Sequence, residues 1–250
     1  MQPSNTCRLN KDFLMLKLRN IAILLVVAIS SAIYGAAAAK YQLQPYPLIG
    51  YIKNIFFGTP VEKQDRYYND RASFFSIHGK KSDLVMVGDS LTDGAEWEEL
   101  LGSQGIVNRG IIGDTTYGLR LRLDSIYSTD AKKAFVMIGI NDIIKGRATD
   151  EILKDYQEIV NGMISHNIRP YIQSTLLVGD SKKLYNEKVH ELNRQMSRFA
   201  SEQGIDFIDL NKSLSSGGVL RKEFTEDGIH LNGDGYTEWA KAIAPHLAAS

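Results

Sequence analysis

The stretch "LVMVGDSLTDG", Leu84 to Gly94, runs from four apolar residues into a turn that carries a serine. A short apolar run bounded by turn residues is typical of a strand buried in a parallel sheet. Later runs of the same kind are "GIVN", "AFVMIGI", "RPYIQSTLLV" and "IDFIDL". The sequence thus predicts five buried strands, and Ser90 is the second residue after the first of them.

Amphipathic stretches separate these strands. From Thr149 to Asn167, apolar residues recur at helical spacing, at Ile152, Leu153, Tyr156, Ile159, Val160, Met163 and Ile164. The stretch from Lys182 to Gln203 carries one stripe, formed by Tyr185, Val189, Leu192, Met196 and Phe199. Parallel strands need crossovers, and right-handed crossovers place helices on both faces of the sheet. We therefore expect a three-layer α/β/α domain whose ligands bind at the carboxyl ends of the strands.

Composition excludes several classes of protein. The 29 basic and 29 acidic residues cancel, so no overall positive field would attract nucleic acid. Cys7 is the single cysteine, which excludes an internal disulfide and cysteine-rich metal sites. A chain of 250 residues with 44% hydrophobic content has the composition of an ordinary globular protein. No nucleic-acid partner is expected.

The segment from Ile21 to Ala39 holds nineteen residues without a charge. At 1.5 Å per residue, a helix of this length measures about 28 Å, close to the hydrocarbon thickness of a bilayer. The preceding residues are mostly basic, with Arg8, Lys11, Lys17 and Arg19 against Asp12. The positive-inside rule therefore predicts a cytoplasmic N-terminus and a C-terminal part outside the cytoplasm.

Two interpretations of this segment stay open. Ala36 to Ala39 offers a small-residue cleavage site, as in a signal peptide. An uncleaved anchor is favoured by the apolar and tyrosine-rich residues that follow Lys40. The predicted organisation is a cytoplasmic tail (1–20), an anchor or signal segment (21–39), a membrane-proximal stalk (40–81) and a catalytic domain (82–250). This organisation predicts a protein on the periplasmic face of a bacterial inner membrane, or a secreted one after cleavage.

Chemistry-bearing residues follow the other predicted strands. Gly110 lies in "NRGIIGDTT" and Asn141 in "GINDI". Asp227 and His230 stand three apart in "TEDGIHLN", before the last helix. A serine hydroxyl needs a base such as histidine, and the histidine needs a carboxylate that fixes its tautomer. We expect Ser90 as nucleophile, His230 as base and Asp227 as orienting acid. The backbone N–H groups of Ser90 and Gly110 and the amide of Asn141 are the expected oxyanion donors.

Neither a metal nor a cofactor is predicted. His78, His166, His190 and His246 lack the spacing of metal ligands. Asp142, beside Asn141, is interpreted as a cap or a partner of the backbone. The first turn after a strand also lacks the glycine patterns that cradle phosphates, which argues against a flavin or nucleotide binder.

From about Ser82 to its C-terminus, the chain resembles the SGNH hydrolases, also called GDSL esterases and lipases. The resemblance rests on "GDSLTDG", "NRGIIGDTT", "GINDI" and "DGIH", in that order. It implies the roles given above for Ser90, Gly110, Asn141, Asp227 and His230, and a flavodoxin-like sheet with strand order 2-1-3-4-5. The second block looks most like the branch that contains platelet-activating-factor acetylhydrolase, which implies short acyl groups.

These features predict a serine esterase that removes a short acyl group, expected to be acetyl, from an extracytoplasmic carbohydrate or lipid. An acyltransferase that uses the same site is one alternative, with an alcohol replacing water. A non-catalytic glycan- or lipid-binding module on the same fold is another. The full set of five site residues favours catalysis, because a binding module does not need it.

Overall fold

The structure is a computed structural model that describes residue 23, residues 25–37 and residues 66–247. The chain divides into two compact units, Met1–Val61 and Glu62–Ser250.

In the first unit, residues 25–37 form a helix. Among the residues that the structure describes, no helix is long and apolar enough to cross a bilayer. A membrane-spanning helix over Ile21–Ala39 is therefore not confirmed, and the ends of that segment lie outside the described residues. The predicted cytoplasmic tail, 1–20, and residues 40–65 of the predicted stalk also lie outside the described residues.

The second unit contains one five-stranded parallel sheet. Its strands are β1 (Leu84–Gly88), β2 (Ile106–Gly110), β3 (Lys133–Met137), β4 (Arg169–Gln173) and β5 (Asp206–Ile208). Their spatial order is β2-β1-β3-β4-β5, as predicted. All five residues of β1 are buried, because the strand is covered on both faces.

The helices of this unit are α1 (Arg66–Ile77), α2 (Ser90–Asp93), α3 (Trp97–Leu101), α4 (Thr116–Arg120), α5 (Asp124–Tyr127), α6 (Ile140–Ile144), α7 (Thr149–Ser165), α8 (Asn186–Gln203), α9 (Asn211–Leu214) and α10 (Gly233–Leu247). Short 3-10 helices span Asp180–Tyr185 and Lys222–Phe224. A small antiparallel hairpin joins β6 (Ser215–Ser216) to β7 (Val219–Leu220). Helices α4, α7 and α8 pack in one group, and α3, α9 and α10 pack in another. These two groups are the outer layers of the predicted α/β/α sandwich.

The predicted helical stripes form the interfaces of α7 and α8 with the sheet. In α7, Ile152, Tyr156, Ile159, Val160 and Met163 are buried, whereas Ile164 is exposed. In α8, Val189, Leu192, Met196 and Phe199 are buried. Burial of such side chains is worth about 1.5–3 kcal/mol each.

The compact unit starts earlier than the predicted boundary at Ser82. Helix α1 buries Tyr68 and Phe75 against Ile111, which lies just after β2. The Tyr68 hydroxyl donates to the carbonyl of Gly118, at 2.7 Å. Residues 66–77, expected in a stalk, therefore belong to the body of this unit.

Candidate active site

Ser90 lies at the carboxyl edge of the sheet, as the first residue of α2. The preceding Asp89 caps this helix, since its Oδ1 accepts a hydrogen bond of 3.0 Å from the Leu91 N–H. The Ser90 hydroxyl points elsewhere, and its Oγ lies 3.0 Å from His230 Nε2. Asp89 therefore caps the helix, and the Ser90 hydroxyl is left to contact His230.

His230 and Asp227 complete this arrangement. His230 Nδ1 lies 2.7 Å from Asp227 Oδ2. A hydrogen on Nδ1, donated to this carboxylate, leaves Nε2 free to accept the serine proton. The other carboxylate oxygen accepts backbone N–H groups from Ile229 and His230, both at 2.8 Å. The carboxylate is therefore held by its own loop before it orients the imidazole.

Asp227 is ionised under ordinary conditions. Its partial burial alone would raise the pKa, but hydrogen bonds from the His230 side chain and from the backbone N–H groups of His230 and Ile229 lower it to about 2. The anionic form is the one that can stabilise an imidazolium during proton transfer.

The loop that carries Asp227 and His230 is tied to the 3-10 turn at Asp180–Tyr185. Lys182 donates to the main-chain carbonyl of Asp227 at 2.6 Å. Gly179 and Gly228 approach so closely that a Cβ on Gly179 would lie 2.9 Å from the α-carbon of Gly228. Sequence reasoning missed these contacts, because glycine and lysine in a loop carry no local signal of a distant partner.

The structure brings Asn141 to the same edge. Its Nδ2 donates to the carbonyl of Asp114, at 3.0 Å. An amide nitrogen has two hydrogens, so this bond orients the group and leaves one hydrogen for a ligand. Ser90 adds the N–H of the first turn of α2, which helical bonds do not use.

The prediction that Gly110 is an oxyanion donor requires correction. The Gly110 N–H donates to Asn108 Oδ1 at 2.8 Å, so it is already engaged. A Cβ at this position would overlap the backbone of Asp93, so glycine is needed here for the packing of β2 against α2. The side-chain direction of Asn108 decides this outcome, and the glycine motif alone does not reveal it.

Gly113 is the alternative candidate for the role that was expected of Gly110. Its φ of +76° favours glycine, and an added Cβ would meet no atom within 4 Å. Within the described part of the chain, its N–H has no hydrogen-bond acceptor. It adjoins Asp114, the residue whose carbonyl holds the Asn141 amide. Sequence reasoning could have weighed this second glycine of "GIIGD".

Asp142 is a partner of the backbone, as expected from its place beside Asn141. It is fully buried and accepts from the N–H and hydroxyl of Thr116, at 3.0 and 2.7 Å, and from Arg147, at 2.6 Å. Burial raises its pKa, and the bonds from Thr116 and Arg147 oppose that rise. Its carboxylate therefore anchors the start of α4 and does not face the site.

Comparison with known proteins agrees with this fold. The model of the GDSL-like Lipase/Acylhydrolase family matches residues 86–237, and the chain belongs to this family. It is accordingly a carboxylic ester hydrolase.

One curated relative is an N-acylneuraminate cytidylyltransferase of Streptococcus agalactiae, 23% identical over 181 residues, or 72% of this chain. The match covers 42% of that protein, so the chain spans about two fifths of its length.

Three solved structures share the fold. A protein of Streptococcus pneumoniae described as a platelet activating factor is 25% identical, with a TM-score of 0.64 over 80% of this chain and 98% of that one. A GDSL-like lipase of Bacteroides thetaiotaomicron has a TM-score of 0.64 at 20% identity, over 72% and 96% of the two chains. A variant of an acetyl-xylooligosaccharide esterase of Geobacillus stearothermophilus has a TM-score of 0.58 at 19% identity, over 69% and 96%.

Proposed function

We propose that this protein is a serine esterase that removes short acyl groups, with acetyl as the expected one, from a carbohydrate or lipid. The observation that carries the proposal is the hydrogen-bonded chain from Ser90 through His230 to Asp227. In this mechanism His230 takes the proton of Ser90 as its oxygen attacks the ester carbonyl, and later returns a proton to the leaving alcohol. Water, activated by the same imidazole, then releases the acid.

The negative charge that forms on the carbonyl oxygen requires donors that are already in place. We assign this role to the N–H of Ser90, the free amide hydrogen of Asn141 and the N–H of Gly113. The assignment of Asn141 is supported by its bond to Asp114, which fixes the amide before substrate arrives.

The openness of the site supports a small acyl group on a larger alcohol. The side chains of His230 and Asp227 are 51% and 52% exposed. A bulky alcohol can therefore approach from solvent while only its ester group enters the site.

A cavity of about 730 Å³, lined in part by Asp227, supports the same view. Its walls include hydroxyl groups of Ser181, Ser216 and Thr225 and charged side chains of Arg221 and Glu223. Its volume falls in the usual range of ligand sites, and groups of these types suit the hydroxyls of a sugar. One of the solved structures described above is named as an esterase of acetylated xylooligosaccharides, which favours a carbohydrate ester. The curated relative is named for an N-acylated sugar, which favours a carbohydrate substrate more generally.

The location outside the cytoplasm remains part of the proposal. It rests on the basic residues before Ile21 and on the uncharged segment up to Ala39. In this scheme the esterase acts on material of the cell envelope.

A hydrolysis profile tests the proposed activity. The protein should cleave p-nitrophenyl acetate with a higher kcat/KM than esters of longer acids, and it should then release acetate from acetylated oligosaccharides faster than from acetylated phospholipids. The control is Ser90→Ala, which should be inactive on every ester. A preference for long acyl chains would overturn the assignment to short acyl groups. Formation of a new ester when an alcohol is added, in preference to free acid, would show an acyltransferase.

A further inference from the structure

The helix that carries Ser90 cannot hold itself in place. Helix α2 has four residues, so its carbonyl groups lack partners within the helix. The Ser90 carbonyl accepts from the N–H of the next residue after the helix, Gly94, at 3.0 Å. Other elements supply partners further along: Leu91 O accepts from the Tyr236 hydroxyl, and Thr92 O accepts from Trp97 Nε1 and Asn108 Nδ2, all at 2.9 Å. The position of Ser90 therefore depends on side chains from outside α2.

Tyr236 differs from the other two side-chain partners, Trp97 and Asn108, because of the element on which it lies. It belongs to α10, which starts three residues after His230. The intervening Asn232 caps α10 through a bond from the Gly235 N–H at 3.1 Å, and its own N–H donates to Phe224 O at 2.9 Å. The chain between His230 and Tyr236 is thus fixed along its length. The bond from Tyr236 to Leu91 therefore joins α10, the helix that follows the proposed base, to α2, the helix that carries the proposed nucleophile.

The surroundings of Tyr236 keep its hydroxyl aimed at α2. Its ring packs against Trp239, with centroids 6.0 Å apart and planes nearly parallel, and meets Trp97 edge-on at 6.4 Å. Burial, followed by the negative charges of Asp89 and Asp93, raises the pKa of Tyr236 to about 12. The hydroxyl consequently remains a donor across the working range of pH.

A glycine makes room for this hydroxyl. Gly94 follows α2 with a φ of −76°, a conformation that any residue can adopt. A Cβ at Gly94 would nevertheless lie 2.7 Å from the Tyr236 hydroxyl oxygen. The need for glycine at this position comes from the tyrosine and not from the backbone.

We propose that Tyr236 is a positioning residue, which sets the distance between Ser90 and His230 by holding Leu91 O from the helix that follows His230. This inference rests on the proposed function of Ser90 and His230. Without the bond, α2 and α10 can shift against each other, and the 3.0 Å contact between Ser90 and His230 lengthens.

The test compares two tyrosines that each donate to a main-chain carbonyl. Tyr236→Phe should lower kcat by about tenfold to a hundredfold with little change in KM, because small displacements of reacting groups cost this much. The matched control is Tyr156→Phe, since Tyr156 is buried and donates to Val136 O at 3.0 Å, away from the triad. Both variants should show a similar decrease in Tm, because each loses one hydrogen bond and a loss of 1 kcal/mol lowers Tm by about 2–4 °C. Tyr156→Phe should keep the wild-type kcat.

Two further variants separate positioning from a general loss of structure. Gly94→Ala should lower kcat as Tyr236→Phe does, and the double variant should be no slower than either alone. In a His230→Ala background, Tyr236→Phe should have no effect on the residual rate, because the distance that it sets no longer matters.

Wild-type kcat in Tyr236→Phe would overturn the inference, as would an equal loss in the presence and absence of His230. Neither result touches the proposed function, which is tested separately by the activity of Ser90→Ala.

Discussion

The exchange of Asn141 or of Asp142 for alanine should have opposite consequences, although the two residues are adjacent. Asn141→Ala removes a donor whose bond strengthens only as charge develops on the carbonyl oxygen, so kcat should fall and KM should change little. Loss of one such donor typically costs about 2.7–4 kcal/mol, or roughly 10²–10³ in kcat. The ground-state loss is small, since Asn141 gives up one hydrogen bond to Asp114, worth about 0.5–1.5 kcal/mol.

Asp142→Ala should act on stability. The substitution removes the hydrogen bonds that Asp142 accepts from the N–H and hydroxyl of Thr116 and from Arg147. Arg147 keeps a second carboxylate partner, Asp155, at 2.7 Å. Each of the three bonds is accepted by a carboxylate and is worth about 1.5–3 kcal/mol, so the loss is about 4.5 kcal/mol or more.

The assay measures kcat, KM and the urea midpoint of both variants with p-nitrophenyl acetate. Asp142→Asn is the matched control, because it keeps the shape of the side chain and should recover part of the stability. If Asp142→Ala abolished kcat in folded protein while Asn141→Ala kept it, the oxyanion site would have been placed wrongly.

Other perturbations test separate parts of the account. Burial raises the pKa of Asp89 from an ordinary 3.8 to about 7, so the folded state loses stability as the pH rises from about 4 to 7. Asp89→Asn should reduce this loss of stability, as measured by melting curves over that range of pH. An unchanged pH dependence in the variant would contradict this expectation. Gly110→Ala should impair folding, because its Cβ overlaps the backbone of Asp93. Gly113→Ala keeps the N–H and has room for the Cβ, so it should fold, but strain at a φ of +76° should displace that N–H and lower kcat; equal Tm values for the two variants would argue against this difference. Exhaustive chelation should leave ester hydrolysis unchanged, since the triad needs no metal, and a loss that one divalent ion restores would contradict the mechanism. Full-length protein should stay with membranes during alkaline carbonate washing and be cut by protease added outside, whereas a soluble form starting near Lys40 would show a cleaved signal peptide.

The sheet and its edge were predictable because their signals are local. Apolar runs of strand length and the turn residues behind them predict buried strands and their carboxyl ends, where Ser90, Asn141 and His230 lie. The spacing in α7 likewise identifies its buried face. These patterns depend on periodicity, which a single sequence displays directly.

Contacts between distant segments were not predictable in this way. Gly113 is preferred to Gly110 as the oxyanion donor because the Asn108 side chain already accepts a hydrogen bond from the Gly110 N–H, two residues further along the chain. Helix α1 docks through Phe75, which Arg71 and Arg109 cover at 4.6 Å from its ring. Neither arrangement leaves a periodic pattern.

The start of α8 shows the same limit. A helix was expected from Lys182, but a 3-10 turn occupies Asp180–Tyr185 and the α-helix begins at Asn186. The Asn186 side chain bonds both the N–H and the carbonyl of Val178, at 2.8 and 2.9 Å. This pair of bonds fixes the start of the helix to the segment that follows β4, an arrangement that helix propensity does not encode.

The central claim is that Ser90 becomes acylated with His230 as its base. The most direct test is to mix the protein with p-nitrophenyl acetate, quench in acid and locate the acetyl group by peptide mass spectrometry. The account predicts a burst of p-nitrophenol no larger than the enzyme concentration, an acetyl group on Ser90, and neither of these in Ser90→Ala or His230→Ala. Acetyl on another residue, or full turnover in Ser90→Ala, would contradict it.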